Sequence, residues 1–134
     1  NYDLSMIFFD LDYFKEVNDA HGHLLGSKLL KEAATLTASL LRTVDMACRY
    51  GGDEFVILMP GTPKKNAVRV AEKLRDAFRN TAFLGDEGLN LRLTASFGVA
   101  SFPEDASNKD ELIHQADNAM YRVKNRTRDG VQEA

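Results

Sequence analysis

A short apolar run closed by carboxylates constrains this chain most: Ser5 to Leu11 (SMIFFDL), with Asp10 inside its end and Asp12 just beyond. Seven residues with two adjacent phenylalanines are too few for a buried helix and read as a buried strand. A buried strand needs partners, and the sequence offers three. Glu54 to Met59 (EFVILM) is one, Met46 to Tyr50 a shorter one before it, with Gly51-Gly52-Asp53 a tight hairpin between them. Leu91 to Phe102 (LRLTASFGVASF) is the third, with Gly98 expected as a bulge or bend.

Helices fill the intervals. Tyr13 to Ala20 reads as a short one stopped near Gly22. From Ser27, expected as an N-cap, Leu29, Ala33, Leu36 and Leu40 recur at helical spacing, widened by Leu30, Ala34 and Leu41. After the break Pro60-Gly61-Thr62-Pro63, the residues Ala67, Val70, Ala71, Leu74 and Phe78 mark an amphipathic helix. Leu112, Ile113, Ala116, Ala119, Met120 and Val123 mark another. The order β-α-α-β-β-α-β-α is α+β: a mainly antiparallel sheet flanked by helices, in a split βαβ arrangement.

Size and charge narrow the function. At 134 residues the chain is expected to form one domain, residues 1–134. A net charge of -3 argues against a partner that is a nucleic-acid polymer, which selects a basic stripe. The single cysteine, Cys48, allows no disulfide within the chain and is expected in the core. There is no apolar run of membrane-spanning length and no signal-peptide pattern, so the expectation is a soluble, cytoplasmic domain without membrane contact of its own.

The chemistry gathers at strand ends. Asp10 and Asp12 follow the first strand, and Asp53 and Glu54 sit in the hairpin. If the two strands are neighbours, Asp10 and Asp53 converge, and like charges so close repel unless a cation lies between them. Hard oxygen ligands suit magnesium (Mg2+) or manganese (Mn2+), which carry substrate phosphates. Gly51 and Gly52 leave room for a bulky ligand to approach the backbone. The turn Asp12-Tyr13-Phe14-Lys15 runs into a helix start, where free N–H groups attract anions, and Lys15, Lys124 and Arg128 add positive charge. An acid pair beside an anion-ready helix start describes phosphoryl transfer.

As strings, these segments resemble the GGDEF family of diguanylate cyclases. The hairpin reads RYGGDEF (Arg49 to Phe55), the upstream segment FFDLDYFKEVNDAHGHLLGS, and the end ADNAMYRVKNRTRD. The resemblance spans nearly the whole chain and implies the palm architecture of nucleotidyl cyclases and polymerases. It implies that Asp10, the Leu11 carbonyl and Asp53 hold the metal. Asp53 is the implied proton acceptor, with Glu54 as its competitor, and Lys15 stabilises charge on phosphorus. The amides around Tyr13 and Phe14, with Lys124 and Arg128, would hold the outer phosphates, and Asn18 the purine base. His23 is expected to support its loop. Two domains are needed, as a homodimer, because each 3′-hydroxyl attacks the other's α-phosphate. Arg42-Thr43-Val44-Asp45 matches the family's RxxD inhibitory site for cyclic di-GMP, in which Arg42 and Asp45 grip the product.

The chain departs from the family pattern in places. GHLLGS puts Ser27 where an aspartate reads guanine, a change found in the hybrid promiscuous subgroup that also makes cyclic GMP-AMP. GTP and ATP are therefore both expected substrates. A GTP-only cyclase and a degenerate receptor that only binds cyclic di-GMP are the alternatives. Thr127 and Asp129 replace a glycine and an asparagine near Arg128. The family's leading segment is absent, so a sensor domain is expected to be missing.

Overall fold

The computed structural model describes residues 2–134. Its central strand is the apolar run, β1 (Leu4–Leu11), which leads into α1 (Phe14–His21) and α2 (His23–Ser39). A hairpin of β2 (Met46–Arg49) and β3 (Glu54–Pro60) follows, then α3 (Lys64–Arg79), β4 (Ala95–Phe102), α4 (Lys109–Lys124) and β5 (Gly130–Glu133). The five strands lie in the order β2-β3-β1-β4-β5. Every pairing is antiparallel except that of β4 with β5.

β1 is apolar throughout because both its faces are covered. Ile7, Phe9 and Leu11 join Phe55, Ile57, Phe97 and Val99 of the neighbouring strands against α2 and α3, where Leu29, Leu74 and Phe78 are fully buried. Met6 and Phe8 face the other side, with Val56 and Ala100, and meet α4 through Leu112, Ala116 and Met120. The two-residue alternation of the strand thus divides one sequence run between two cores. The expected α+β class and the apolar faces of α3 and α4 hold.

Several expectations are corrected. α2 begins at His23, with Gly22 flanking it at φ 90°, so Ser27 lies in the second turn of the helix and caps nothing. Its buried face ends on Thr37, whose hydroxyl bonds back to the Ala33 carbonyl at 2.8 Å, while Ala34 and Leu40 stay exposed. β4 is shorter than its apolar pattern; Leu91 pairs only with Phe83, in an isolated bridge. Cys48 is exposed, because β2 is an edge strand whose four residues are all exposed.

Gly98 is no bulge. It pairs with Phe8 in unbroken register, and α4 crosses directly over it. A β-carbon there would overlap the Ala116 carbonyl oxygen and the Met120 amide nitrogen. Gly98→Ala should therefore force α4 off the sheet and cost about 3 kcal/mol, read as a lower denaturation midpoint at unchanged slope. A variant within 0.5 kcal/mol of the parent (about the scale of a surface change) would sink this account of the packing.

Candidate functional site

The register of β1 against β3 sets Asp10 opposite Glu54, with Asp53 one residue before it in the hairpin. The hairpin tip is fastened by Arg49, whose Nε donates to the carbonyls of Gly51 at 3.2 Å and Gly52 at 2.8 Å. Neither glycine is in the left-handed region. A β-carbon at Gly51 would push the Glu54 carboxylate aside, whereas Gly52 faces open space. Close approach, not turn conformation, bears on Gly51, and neither applies to Gly52.

Burial pushes the Asp10 carboxyl up to about 8; the adjacent Asp53 carboxyl adds to the rise and Lys124 opposes it. Asp10 Oδ1 is buried without a hydrogen-bond partner, and Lys124 Nζ stands 3.5 Å away. Burial also raises Glu54, with Asp117 and Asp53 contributing and Lys124 opposing.

Asp12, the other carboxylate of the strand end, has a separate place. It is fully buried and accepts from Thr94 Oγ1 at 2.6 Å, Ser96 Oγ at 2.7 Å and the Asp129 amide at 2.9 Å. Lys124 Nζ lies 3.1 Å from it and donates to the Leu11 carbonyl at 3.2 Å.

Two adjoining cavities meet at this acid pair. One, of about 540 Å³, is lined by Asp10, Leu11, Tyr13, Phe14, Lys15, Asp53, Glu54, Lys124 and Arg128, joined by Asp117 and Tyr121. The other, of about 350 Å³, is lined by Asn18, His23, Ser27, Leu30, Arg49 and Gly52, and shares Phe14, Lys15 and Asp53 with the first. The first is rich in charge; the second offers an amide, a hydroxyl and apolar carbon. Asn18 Nδ2 is 2.8 Å from His23 Nδ1, and Gly26 lies beneath it, where a β-carbon would displace the Asn18 amide oxygen. His23, expected to support its loop, instead opens α2 and supports Asn18 of α1.

Sequence reasoning missed the backbone at the cavity rim. Tyr13, which precedes α1, has φ 63°, and Arg128 and Asp129 have φ 53° and 44°. The Arg128 guanidinium lies over the Tyr13 ring, 4.7 Å from its centre. Non-glycine residues in this region each cost on the order of 1 kcal/mol or more, and they cluster at functional sites. The only sequence trace of this strain is Asp129, a residue type that tolerates left-handed backbone. Asp117 and Tyr121 gave no separate signal, since their spacing on α4 is that of any exposed face.

Arg42 and Asp45 are not part of these cavities. They sit at the opposite end of the β2–β3 hairpin, where Arg42 Nη2 donates to Asp45 Oδ1 at 2.6 Å, Thr62 Oγ1 at 2.7 Å and the Pro60 carbonyl at 3.2 Å. Burial raises the Asp45 carboxyl, but hydrogen bonds from Arg42 outweigh it and leave Asp45 below its ordinary range.

The arrangement of carboxylates, cations and a second pocket has counterparts. Residues 1–130 match the sequence pattern of the family described as "Diguanylate cyclase, GGDEF domain". The chain belongs to the GGDEF family. It is 36% identical over 129 residues to the response regulator PleD of Caulobacter vibrioides, covering 96% of this chain and 28% of that protein. It is 35% identical over 128 residues to diguanylate cyclase A of Treponema denticola, covering 96% of this chain and 34% of that protein. This GGDEF domain therefore spans about a third or less of those relatives. Among solved structures, the GGDEF domain of YfiN (TpbB) from Pseudomonas aeruginosa superposes with a TM-score of 0.93 at 34% identity, over 98% of this chain and 82% of that one. The palm-like architecture follows from that match. No helix among the described residues is long and apolar enough to cross a membrane.

The donors around Asp10 fit a hard divalent cation. Two facing carboxyls, an orphaned buried oxygen and the Leu11 carbonyl supply part of an oxygen shell, leaving positions for water and phosphate as magnesium prefers. Without a cation the site carries a pH signature. The native fold holds the Asp10 proton more tightly than the unfolded chain does, so this group's contribution is complete below about pH 4. It is lost as pH rises towards 8. Asp10→Asn should remove that slope. In a chelator it should be more stable than the parent by roughly 1–3 kcal/mol at pH 8.5, with a smaller gap at pH 5, measured by denaturant titration. A gap equal at both pH values would refute the assignment.

Proposed function

We propose that this GGDEF domain is a nucleotide cyclase that joins two purine nucleoside triphosphates into a cyclic dinucleotide, with cyclic di-GMP as the usual product. The observation that carries this reading is the pair of adjoining cavities that meet at Asp53: one lined by carboxylates and cations, the other fitted with an amide and a hydroxyl for a base. The name of one relative, diguanylate cyclase A of Treponema denticola, agrees with it.

In this reading Asp10, Asp53 and the Leu11 carbonyl hold magnesium, which when bound neutralises phosphate charge and polarises the α-phosphate. The amides of Tyr13 and Phe14, at the start of α1, meet the outer phosphates together with Lys124 and Arg128. Lys15, exposed at the junction of both cavities, stabilises the charge that builds on the α-phosphorus. Asn18 and Ser27 contact the base. A second copy brings its own triphosphate. Each 3′-oxygen bonds to the other's α-phosphorus, the α–β phosphoanhydride bond breaks, and pyrophosphate leaves. The hydroxyl proton passes to Asp53; Glu54, already raised by burial, is its competitor. Neither carboxyl is oriented by a histidine, so the burden falls on positioning and charge.

Ser27 supports a finer reading, in which ATP is used beside GTP and cyclic GMP-AMP is formed. It lies exposed on α2 and lines the base cavity. An aspartate would accept from guanine N1–H and the 2-amino group, and would oppose the acceptor N1 of adenine. A serine hydroxyl accepts from guanine or donates to adenine. Products from equimolar ATP and GTP, separated by chromatography and mass spectrometry, should include cyclic GMP-AMP with cyclic di-GMP. Asp53→Asn should cut total turnover about a hundredfold or more, and Ser27→Asp should leave cyclic di-GMP alone. Cyclic di-GMP as the sole product of the parent would make it a GTP-only cyclase. Nucleotide binding without pyrophosphate release would make it a receptor.

Arg42 and Asp45 are proposed as the product-inhibition site. Since Arg42 is already committed to Asp45, Pro60 and Thr62, the product must compete for its guanidinium. Arg42→Ala should raise the cyclic di-GMP concentration needed for half-inhibition by about tenfold, the scale of one charge-assisted contact, at unchanged initial rate. An unaltered inhibition curve would leave this turn a purely local ion pair.

A further inference from the structure

We propose that Asp12 is a positioning residue for the triphosphate: its buried charge aims Lys124 and the left-handed Arg128–Asp129 turn at the phosphate end of the cavity. The inference rests on the nucleotide reading above and adds a residue that touches no substrate. Asp12 is 0% exposed, and donors from separate segments fill its carboxylate. Thr94 and Ser96 anchor it from β4 and the segment before it, at 2.6 and 2.7 Å. Two further contacts lead towards the site. Lys124 Nζ, on the last residue of α4, lies 3.1 Å from Oδ1, and the Asp129 amide donates to Oδ2 at 2.9 Å.

The second of these explains how the turn after α4 is held. Arg128 and Asp129 are successive left-handed residues, a conformation that reverts unless something fixes it. The Asp12 carboxylate holds the Asp129 amide from inside, and Arg79 holds the Asp129 carboxylate from outside at 2.9 Å. Between them the Arg128 side chain is thrown back over the Tyr13 ring, beside the start of α1. One carboxylate thereby sets the places of both cations that line the phosphate end from the C-terminal side. Asp10, two residues earlier, lines the cavity and keeps an unpartnered oxygen, so donors rather than strand alternation separate a cavity-lining carboxylate from a buried orienting one.

A residue that acts through Lys124 and Arg128 should affect the phosphates and not the base. The test uses unreactive 3′-deoxy-GTP and 3′-deoxy-GMP as probes, titrated calorimetrically in magnesium buffer against the folded protein, with melting curves as the folding control. Asp12→Asn should weaken triphosphate binding about tenfold and monophosphate binding less than twofold. In a Lys124→Met background the same change should lose part of its effect, because Lys124 is one of the two cations through which Asp12 acts. Thr94→Val removes one anchoring hydroxyl at constant shape and charge. It should give a smaller loss, also confined to the triphosphate, and it carries the test if Asp12→Asn does not fold. Equal losses on both probes, unchanged binding of both, or an undiminished effect in the Lys124→Met background would overturn the proposal. A parent protein that binds neither probe would overturn the nucleotide reading itself, and this inference with it.

Discussion

The antiparallel pairing of β1 with β3 forces two carboxyl groups, Asp10 and Asp53, together at one end of the sheet, and the surrounding structure is arranged around that conflict. A sheet end is normally where charge escapes to water. Here α4 lies over one face and α1 starts beside it, so Asp10 cannot escape and keeps a proton instead. Any divalent ion taken up between the two carboxyls has to displace that proton, which couples cation uptake to pH. Lys124 relieves the tension only in part: at 3.5 Å it is nearer to Asp12 than to Asp10.

The same end of the sheet concentrates backbone strain. Tyr13, Arg128 and Asp129 are the left-handed non-glycine residues around the cavity, and the contacts that hold them are mutual. Arg128 stacks on Tyr13, and Asp129 is fixed by Asp12 and Arg79. A cation–π contact contributes roughly 0.5–1 kcal/mol where exposed, and a hydrogen bond to a charged group about 1.5–3 kcal/mol. These are of the size needed to offset strain of on the order of 1–3 kcal/mol per residue. The strained rim of the site is thus held by interactions of its own, in addition to the packing of Leu11 and Phe14 on the core beneath it.

Much of the fold was legible in the sequence because burial writes itself as periodicity. β1, β3, α3 and α4 announce themselves through apolar residues at spacings of two or three to four, and the two cores use those residues. The failures have physical reasons. β5 (Gly130–Glu133) is only half buried and carries one apolar residue, so its place beside β4 comes from the crossover of α4 and not from composition. Cys48 looked buried because its neighbours are apolar, yet an edge strand has no cover on its outer side. Ser27 looks like a helix start because serine favours caps, but Gly22 already breaks the chain five residues upstream.

The candidate site was legible as residue types and illegible as roles. Asp10 and Asp12 are two residues apart, so strand alternation puts them on the same face and cannot tell them apart, and sequence does not say which of them lines the cavity. The structure answers with β4: Ser96 lies opposite Asp10 in the register, and its hydroxyl turns to Asp12. Two short hydroxyl side chains, Thr94 and Ser96, and the backbone amide of Asp129 convert Asp12 from a candidate ligand into an internal anchor. Carboxylates with a full complement of donors have little left to offer a cation, whereas Asp10 keeps an unpartnered oxygen. Counting donors, not counting acids, is what separates the two. The same count applies to Arg42, whose fork is filled by its own chain, and to Lys15, which lines both cavities and is left available for a ligand.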